Sequence, residues 1–381
     1  MKLQNIVILF VVICFIFWLN EWFLDIYYSM NSFVKPNSSL TYFKFHQDFS
    51  HTNTLDTSIQ LFKNVFAKHD IHYINKFRSS NIVFFHLIVN YIPLRSIVQR
   101  NKHVKFIYSL LCIDRFASKS ELAMILKSHL SEEEYLKLSP VTYTFPIDQK
   151  RLENNFDRKK IYILKKNLQR QKGCLITNTK SDILESNVRK EKYVVCQELL
   201  INPYCVDGHK INVRRYLLIT IKATPNLFLY NEGFMYYAPD KFSKTSLSHD
   251  VHITTGYIDR KIYEKNPLTY TGFLQTLSES EQTILETNMI DLFTKVHQSY
   301  SKILTKEDGT NKHQMNFMIC GCDIAVDEHL GCKLMEINKG PDLSGKDDTD
   351  TRIKTKLIED TLHIVGVITR NNSYDNYVKI N

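Results

Sequence analysis

Phe317 to Leu343 reads FMICGCDIAVDEHLGCKLMEINKGPDL, and this segment restricts the possible folds of the chain more than any other. Two apolar runs flank Asp327-Glu328-His329-Leu330-Gly331, whose acidic pair and glycine supply turn chemistry, so the segment is predicted to be a β-hairpin. Side chains on a strand repeat with period two, which puts Glu336 and Asn338 on one face. With the turn centred near His329, Asp323 lies opposite or beside Glu336, and three oxygen-bearing side chains converge. Ile324, Ala325, Leu334, Met335 and Ile337 surround the two carboxylates. A buried carboxylate pair is desolvated and repels itself unless a cation binds between its members. Mg²⁺ is the natural candidate: it takes hard oxygen ligands in octahedral geometry and commonly shares them with substrate phosphates. Asn338 would add a neutral amide oxygen. The competing reading, a solvated pair on an exposed face, needs no ion.

A metal that holds phosphates needs cationic partners and a slot for a base. Lys165 closes an apolar strand, Ile161-Tyr162-Ile163-Leu164, and a polar, basic loop follows it up to Gly173. Residues 193–220 read YVVCQELLINPYCVDGHKINVRRYLLIT. Gln197 and Glu198 end the first apolar run and offer polar groups to an adenine edge. Pro203 stops that strand, and Asp207-Gly208 turns into the next. Lys210, Asn212 and Arg214 then follow at period two and share one face, which suits an anionic nucleotide or an amino-acid carboxylate. Each cation taken alone reads as ordinary surface charge.

The rest of the chain is a mixture of α and β. Strands are expected at 82–89, 104–108, 160–165, 173–177, 193–199, 211–222, 227–231, 317–326 and 332–338, and helices at 119–129, 131–137, 280–303 and 352–365. Residues 140–146, bounded by Pro140 and Pro146, read as a turn-rich seam between lobes. With 381 residues, 44% hydrophobic and 23% charged, the chain is a globular protein of two or three domains, not a disordered, collagenous or polytopic membrane protein. Its net charge of +9 favours anionic partners. The eight cysteines form no CxxC pair or His/Cys cluster, so no zinc site is expected and buried free thiols are. Near the N-terminus the fourteen residues Ile6–Leu19 are unbroken apolar sequence, and Trp22 to Tyr28 extend them as an aromatic belt. Residues 1–29 are therefore read as a single-pass membrane anchor crossing through 6–28, with 30–57 as a polar tether. A buried core helix is the competing reading. Lys2 before the run, with Glu21 and Asp25 after it, turns the N-terminus toward the cytoplasm, which would put the rest across the membrane. Buried free thiols instead favour a cytoplasmic side for the rest of the chain.

These motifs, in this order, resemble the tubulin–tyrosine ligase-like enzymes, which use the ATP-grasp fold. The resemblance covers about residues 80–370. It rests on YILK ending at Lys165, VVCQELLINP followed by GHKINVR, His252-Ile253-Thr254-Thr255, the hairpin, and Asp350-Thr351-Arg352-Ile353-Lys354 in the tail. It implies an α+β (α/β) chain of two lobes with the nucleotide between them: an N-terminal lobe at 58–145, then central and C-terminal ATP-grasp lobes at 146–381. It further implies ATP and Mg²⁺ as cofactors. Lys165 and Lys210 would hold phosphates, Gln197, Glu198 and Leu199 would frame the adenine, and Asp323, Glu336 and Asn338 would bind the metal. Arg214 and Asn212 would stand at the catalytic centre, with Arg214 positioning the carboxylate substrate or its acyl phosphate. The implied activity is ATP-dependent ligation of a free amino acid to a protein acceptor, tubulin being one candidate, with no nucleic acid expected. A membrane-tethered pseudoenzyme or nucleotide-binding module is the alternative, and small-molecule ligation a third reading. The chain departs from the family pattern at Asn212, where Asp is usual, and after Glu232-Gly233, where an Arg is often found and this chain has Phe-Met-Tyr-Tyr. It departs again at Thr255, where Asn is usual, and in the loop after Lys165, which has one glycine.

Overall fold

The computed structural model describes residues 42–45, 53–73, 82–85, 104–110, 113–167, 173–184, 192–255, 259–308, 314–369 and 376–380. The expected anchor at 1–29 lies outside them. Among the described residues no helix is long and apolar enough to cross a membrane.

Among the described residues, fourteen strands form two sheets. The larger contains β1 (Tyr42–Phe45), β2 (His72–Tyr73), β3 (Ile82–Phe85) and β4 (Val104–Tyr108), which pair in parallel. The smaller contains β5 (Thr142–Thr144), β6 (Tyr162–Lys166), β7 (Cys174–Thr177) and β8 (Tyr193–Glu198), all antiparallel in the order β5-β8-β6-β7. The large sheet resumes with β9 (Cys205–Val206), β10 (His209–Ile221), β11 (Pro225–Lys241), β12 (Met315–Val326), β13 (Cys332–Lys339) and β14 (Tyr377–Ile380). Its order is β14-β11-β10-β12-β4-β3-β1-β2, with β13 also on β12 and β9 on β10. Nearly every predicted strand and helix is present within a few residues.

Three expectations need correction. Tyr42–Phe45, placed in the polar tether, is a strand paired with β2 and β3: its YFKF is a β-favouring island in polar sequence. The tether also gives way to a helix at Asn53–Lys68, which buries Leu61, Phe62, Val65 and Phe66. In the expected seam, Thr142–Thr144 pairs with Val195–Gln197 as an edge strand of the small sheet. The prolines lie outside the paired residues, where they remove no ladder hydrogen bond. Finally, β3 and β4, assigned to a separate N-terminal lobe, extend the same sheet as the hairpin, because β4 pairs in parallel with Met315–Phe317.

Alternation along β10 decides which side chains reach the site. Ile211, Val213, Leu217 and Ile219 join the core beneath the helix Glu279–Asp308, packing with Leu285, Met289, Phe293 and Val296. Tyr216 and Leu218 belong to the opposite face, which the helix Asp348–Ile364 covers with Ile353, Leu357, Ile358 and Leu362. Lys210, Asn212 and Arg214 share the parity of Tyr216 and lie where that face runs out from under the helix. Arg215, of the other parity, is 1% exposed. Its guanidinium stacks 4.1 Å over the Tyr270 ring and donates to the Tyr230 carbonyl, so it is a structural arginine.

Candidate active site

The hairpin forms as predicted, with Asp323 directly opposite Glu336. Strict alternation would turn Leu334 and Glu336 to the same face. A bulge prevents this: Ile324 pairs with Leu334 but Asp323 with Glu336, leaving Met335 as an extra residue. Leu334 and Ile337 therefore both enter the core, while Glu336 and Asn338 face the cleft. Asn338 Nδ2 donates to Glu336 Oε1 at 3.0 Å and to Asp323 Oδ2 at 3.4 Å, so the three predicted side chains converge.

Arg214, opposite Asp323 in the β10–β12 register, donates from Nε to Oδ1 at 2.5 Å and from Nη2 to Oδ2 at 2.9 Å. Burial pushes the Asp323 carboxyl up, to about 6, against the pull of Arg214, and the Glu336 charge adds to the rise. For Glu336, burial acts in the same upward direction, but Lys119, Lys165 and the Asn338 amide hold the carboxyl below its ordinary value. Two glycines admit the arginine. A Cβ on Gly233 would stand 2.2 Å from the Arg214 carbonyl oxygen, and one on Gly321 would stand 3.0 Å from Arg214 Nη1 and from Pro341 Cβ. Glu232 fixes the first of these glycines by accepting from the Gly233 and Thr271 amides.

The small sheet supplies the other wall. Ile163 packs with Ile161, Ile176, Leu199 and Ile253, giving an apolar patch beside Lys165. Lys165 is held below the ordinary lysine range by burial, and Glu336 and Asp323 on the large sheet oppose the shift. Lys210, 4% exposed, falls to about 8 through burial and the charge of Lys165. Two ammonium groups from different sheets, Lys210 buried and Lys165 half-buried, thus lie in each other's field. No carboxylate lies within ion-pair distance of either among the described residues.

Gln197 aligns with Ile163 and donates from Nε2 to Thr142 Oγ1 at 2.9 Å, while its buried Oε1 has no partner. Asn212 Oδ1 is likewise buried and unpartnered. Glu198 is the predicted residue whose side chain turns away from the others. It points to the opposite face of the small sheet and pairs with Lys160 at 2.8 Å, and its amide and that of Leu199 are bonded to the Val141 and Ile161 carbonyls. His252 is buried near Lys210, its ring Nε2 2.6 Å from the Ser246 carbonyl oxygen.

Sequence reasoning missed Lys119, whose Nζ lies 3.7 Å from Glu336 Oε2, and nothing local marks a helix-start lysine as a partner of a residue so far along the chain. It also missed Gly321, whose requirement appears only once Arg214 is placed above it.

The donor set fits a hard divalent cation. Two adjacent carboxylates and a turnable amide meet in a half-buried place, which supplies three hard oxygen donors. Among the described residues no group of three or more His, Cys, Asp or Glu side chains offers another such centre.

A sequence model of the tubulin-tyrosine ligase family matches residues 99–374. The chain belongs to this family. A "Probable tubulin polyglutamylase TTLL9" of Rattus norvegicus is 31% identical over 50% of this chain and 42% of its own length. A "Tubulin glycylase 3B" of Drosophila melanogaster is 26% identical, covering 62% of this chain and 33% of its own. A "Probable beta-tubulin polyglutamylase" of Tetrahymena thermophila is 25% identical, covering 70% and 24%. The chain thus spans less than half the length of these relatives. Two departures from the family pattern are neighbours in the fold: Asn212 and Tyr236 are directly paired across β10 and β11.

Proposed function

We propose that the chain is an ATP-grasp ligase that uses ATP and Mg²⁺ to join a free amino acid to a carboxylate of a protein acceptor through an acyl phosphate, with tubulin as the candidate acceptor. The observation that carries this reading is the convergence of Asp323, Glu336 and Asn338 within the field of Lys165, beside the buried Lys210, with no carboxylate at ion-pair distance from either lysine among the described residues. Such an arrangement lacks a polyanion on one side and a divalent cation on the other, and a metal–triphosphate supplies both.

In this reading Lys165 and Lys210 bind phosphate oxygens. Ile163, Leu199 and Ile253 enclose the base, and Gln197 Oε1 accepts from its amino group. Asp323, Glu336 and Asn338 would hold Mg²⁺, which when bound neutralises charge on the transferring phosphoryl group. The acceptor carboxylate oxygen bonds to the γ-phosphorus as ADP leaves. The amino-acid nitrogen then bonds to the acyl carbon, inorganic phosphate departs, and the nitrogen loses its proton. Arg214, kept in place by Asp323 and the Tyr236 ring, orients the carboxylate. No protein nucleophile is required, so the residues act by positioning and by charge. The apolar run at 6–28 would tether this ligase to a membrane from the cytoplasmic side.

The test is incubation of the chain with Mg-ATP, radiolabelled amino acids and tubulin, alongside Glu336→Gln. Label should appear in protein with the wild type and fall by at least about a hundredfold in the variant, the scale expected on losing a group that stabilises transferring charge. Nucleotide binding without any transfer to protein would instead favour the binding-module reading, for which Asn212 in place of the usual Asp is the supporting feature.

A further inference from the structure

A cavity of about 590 Å³ lies between β11, the helix Asp348–Ile364 and Asn376, the residue before β14, and none of the cleft donors lines it. That volume suits a small organic molecule. Tyr230 and Ile353, both buried, supply its apolar lining. Four charged residues line it as well. Two of them are matched: Lys356 Nζ donates to Asp360 Oδ1 at 2.5 Å, and Glu359 pairs with Lys68 at 2.6 Å.

The other two, Glu232 and Arg352, are of opposite sign and unmatched. Glu232 Oε1 accepts from the Gly233 and Thr271 amides at 2.9 and 3.0 Å, while Oε2 accepts from no group among the described residues. Among those residues no cation lies within ion-pair distance of Glu232, and no carboxylate within ion-pair distance of the exposed Arg352. Both charges nevertheless act on one buried oxygen. Burial pushes the Tyr230 hydroxyl up, Asp360 and Glu232 add to the rise, and Arg352 opposes it. A carboxylate on the strand and a guanidinium on the helix thus share a cavity without pairing.

The sign of each neighbour decides what fits between them. A lone anion would meet Arg352 but bring a further negative charge to a cavity that already holds Glu232 and Glu359. A lone cation would meet Glu232 beside the positive Arg352 and Lys356. A molecule carrying one charge of each sign gains two charge-assisted contacts and adds no net charge. Asn376 donates from Nδ2 to Asp360 Oδ2 at 2.9 Å, which leaves its amide oxygen to accept from an ammonium.

We propose that this cavity is a second small-molecule site, built for a zwitterion: a free amino acid whose carboxylate pairs with Arg352 and whose ammonium pairs with Glu232, its side chain lying on Tyr230 and Ile353. The site is separate from the place beside Arg214 and does not depend on the ligase reading. It adjoins that place through the chain, because Glu232 precedes Gly233, where a Cβ would stand 2.2 Å from the Arg214 carbonyl oxygen.

The test is calorimetric titration of the full chain, without nucleotide, with leucine, phenylalanine and γ-aminobutyrate, and with acetate and butylamine as single-charge controls. At least one zwitterion should bind, and each control at least about tenfold more weakly. Arg352→Gln, at an exposed position, should weaken the zwitterion at least about tenfold, and Glu232→Gln, which can still accept from the two amides, should do the same. Mg-ATP should shift the melting temperature of wild type and Arg352→Gln equally. The proposal is overturned if no zwitterion binds, or if a control binds as tightly as the best zwitterion. Binding that Arg352→Gln leaves unchanged would place the amino acid in the cleft and overturn it too, as would a smaller Mg-ATP shift in that variant. If Glu232→Gln does not fold, the comparison of wild type with Arg352→Gln still decides.

Discussion

Lys210 should make nucleotide binding take up protons, and its replacement should stabilise the protein while weakening that binding. Burial and Lys165 lower its ammonium from 10.5 to about 8. At about 1.4 kcal/mol per pH unit, the native state gives up roughly 3 kcal/mol to keep that group charged. The folded value lies below the unfolded one, so the unfolded chain binds more protons between pH 8 and 10.5. The penalty is then complete below about pH 8 and is relieved as pH rises toward the ordinary lysine value. Lys210→Met should accordingly raise unfolding free energy by up to about 3 kcal/mol at pH 7, with the gain shrinking in alkali. A phosphate placed against the ammonium restores its proton affinity. Calorimetric titration of Mg-ATP in buffers of different ionisation enthalpy should report uptake of about half a proton at pH 8 and about 0.9 at pH 9 from this group. Lys165, shifted in the same direction, adds to the total, so the difference between wild type and Lys210→Met isolates the Lys210 contribution. Equal uptake by the two proteins, or a Met variant less stable than wild type at pH 7, would refute the idea of an uncompensated buried cation awaiting an anion.

The glycines around Arg214 give two sharper perturbations. Gly233→Ala puts a methyl against the Arg214 carbonyl, a backbone atom that cannot move aside, and should cost about 2 kcal/mol or more in denaturant unfolding. Gly321→Ala presses instead on the guanidinium, so it should spare most of the stability while lowering amino-acid transfer by about tenfold or more. A chain lacking residues 1–29 should remain in solution after high-speed centrifugation and show the same melting shift with Mg-ATP; precipitation would point to a core role for Ile6–Leu19.

The chemistry was most legible where it is local. Glu336 and Asn338 are two residues apart, Asp323 is one hairpin away, and Lys210, Asn212 and Arg214 need only the period of a strand. What escaped reading depends on distant partners or on a break in period. Thr142–Thr144 becomes a strand only because Val195–Gln197 offers a free edge. Glu198 looks equivalent to Gln197 until the register gives it to Lys160 on the opposite face. Glu336 reaches the cleft through the extra residue at Met335, which nothing in the run LMEIN announces. Lys119 is unmarked as well, since its partner lies more than two hundred residues onward.

That Lys165 and Lys210 lie in each other's field also bears on how a catalytic cycle would end. They ride on separate sheets, so any anion lodged between them draws the two walls together. Once it departs, like charges in a poorly screened interior push those walls apart. Product egress thus carries its own driving force, and turnover would not have to wait on thermal opening alone.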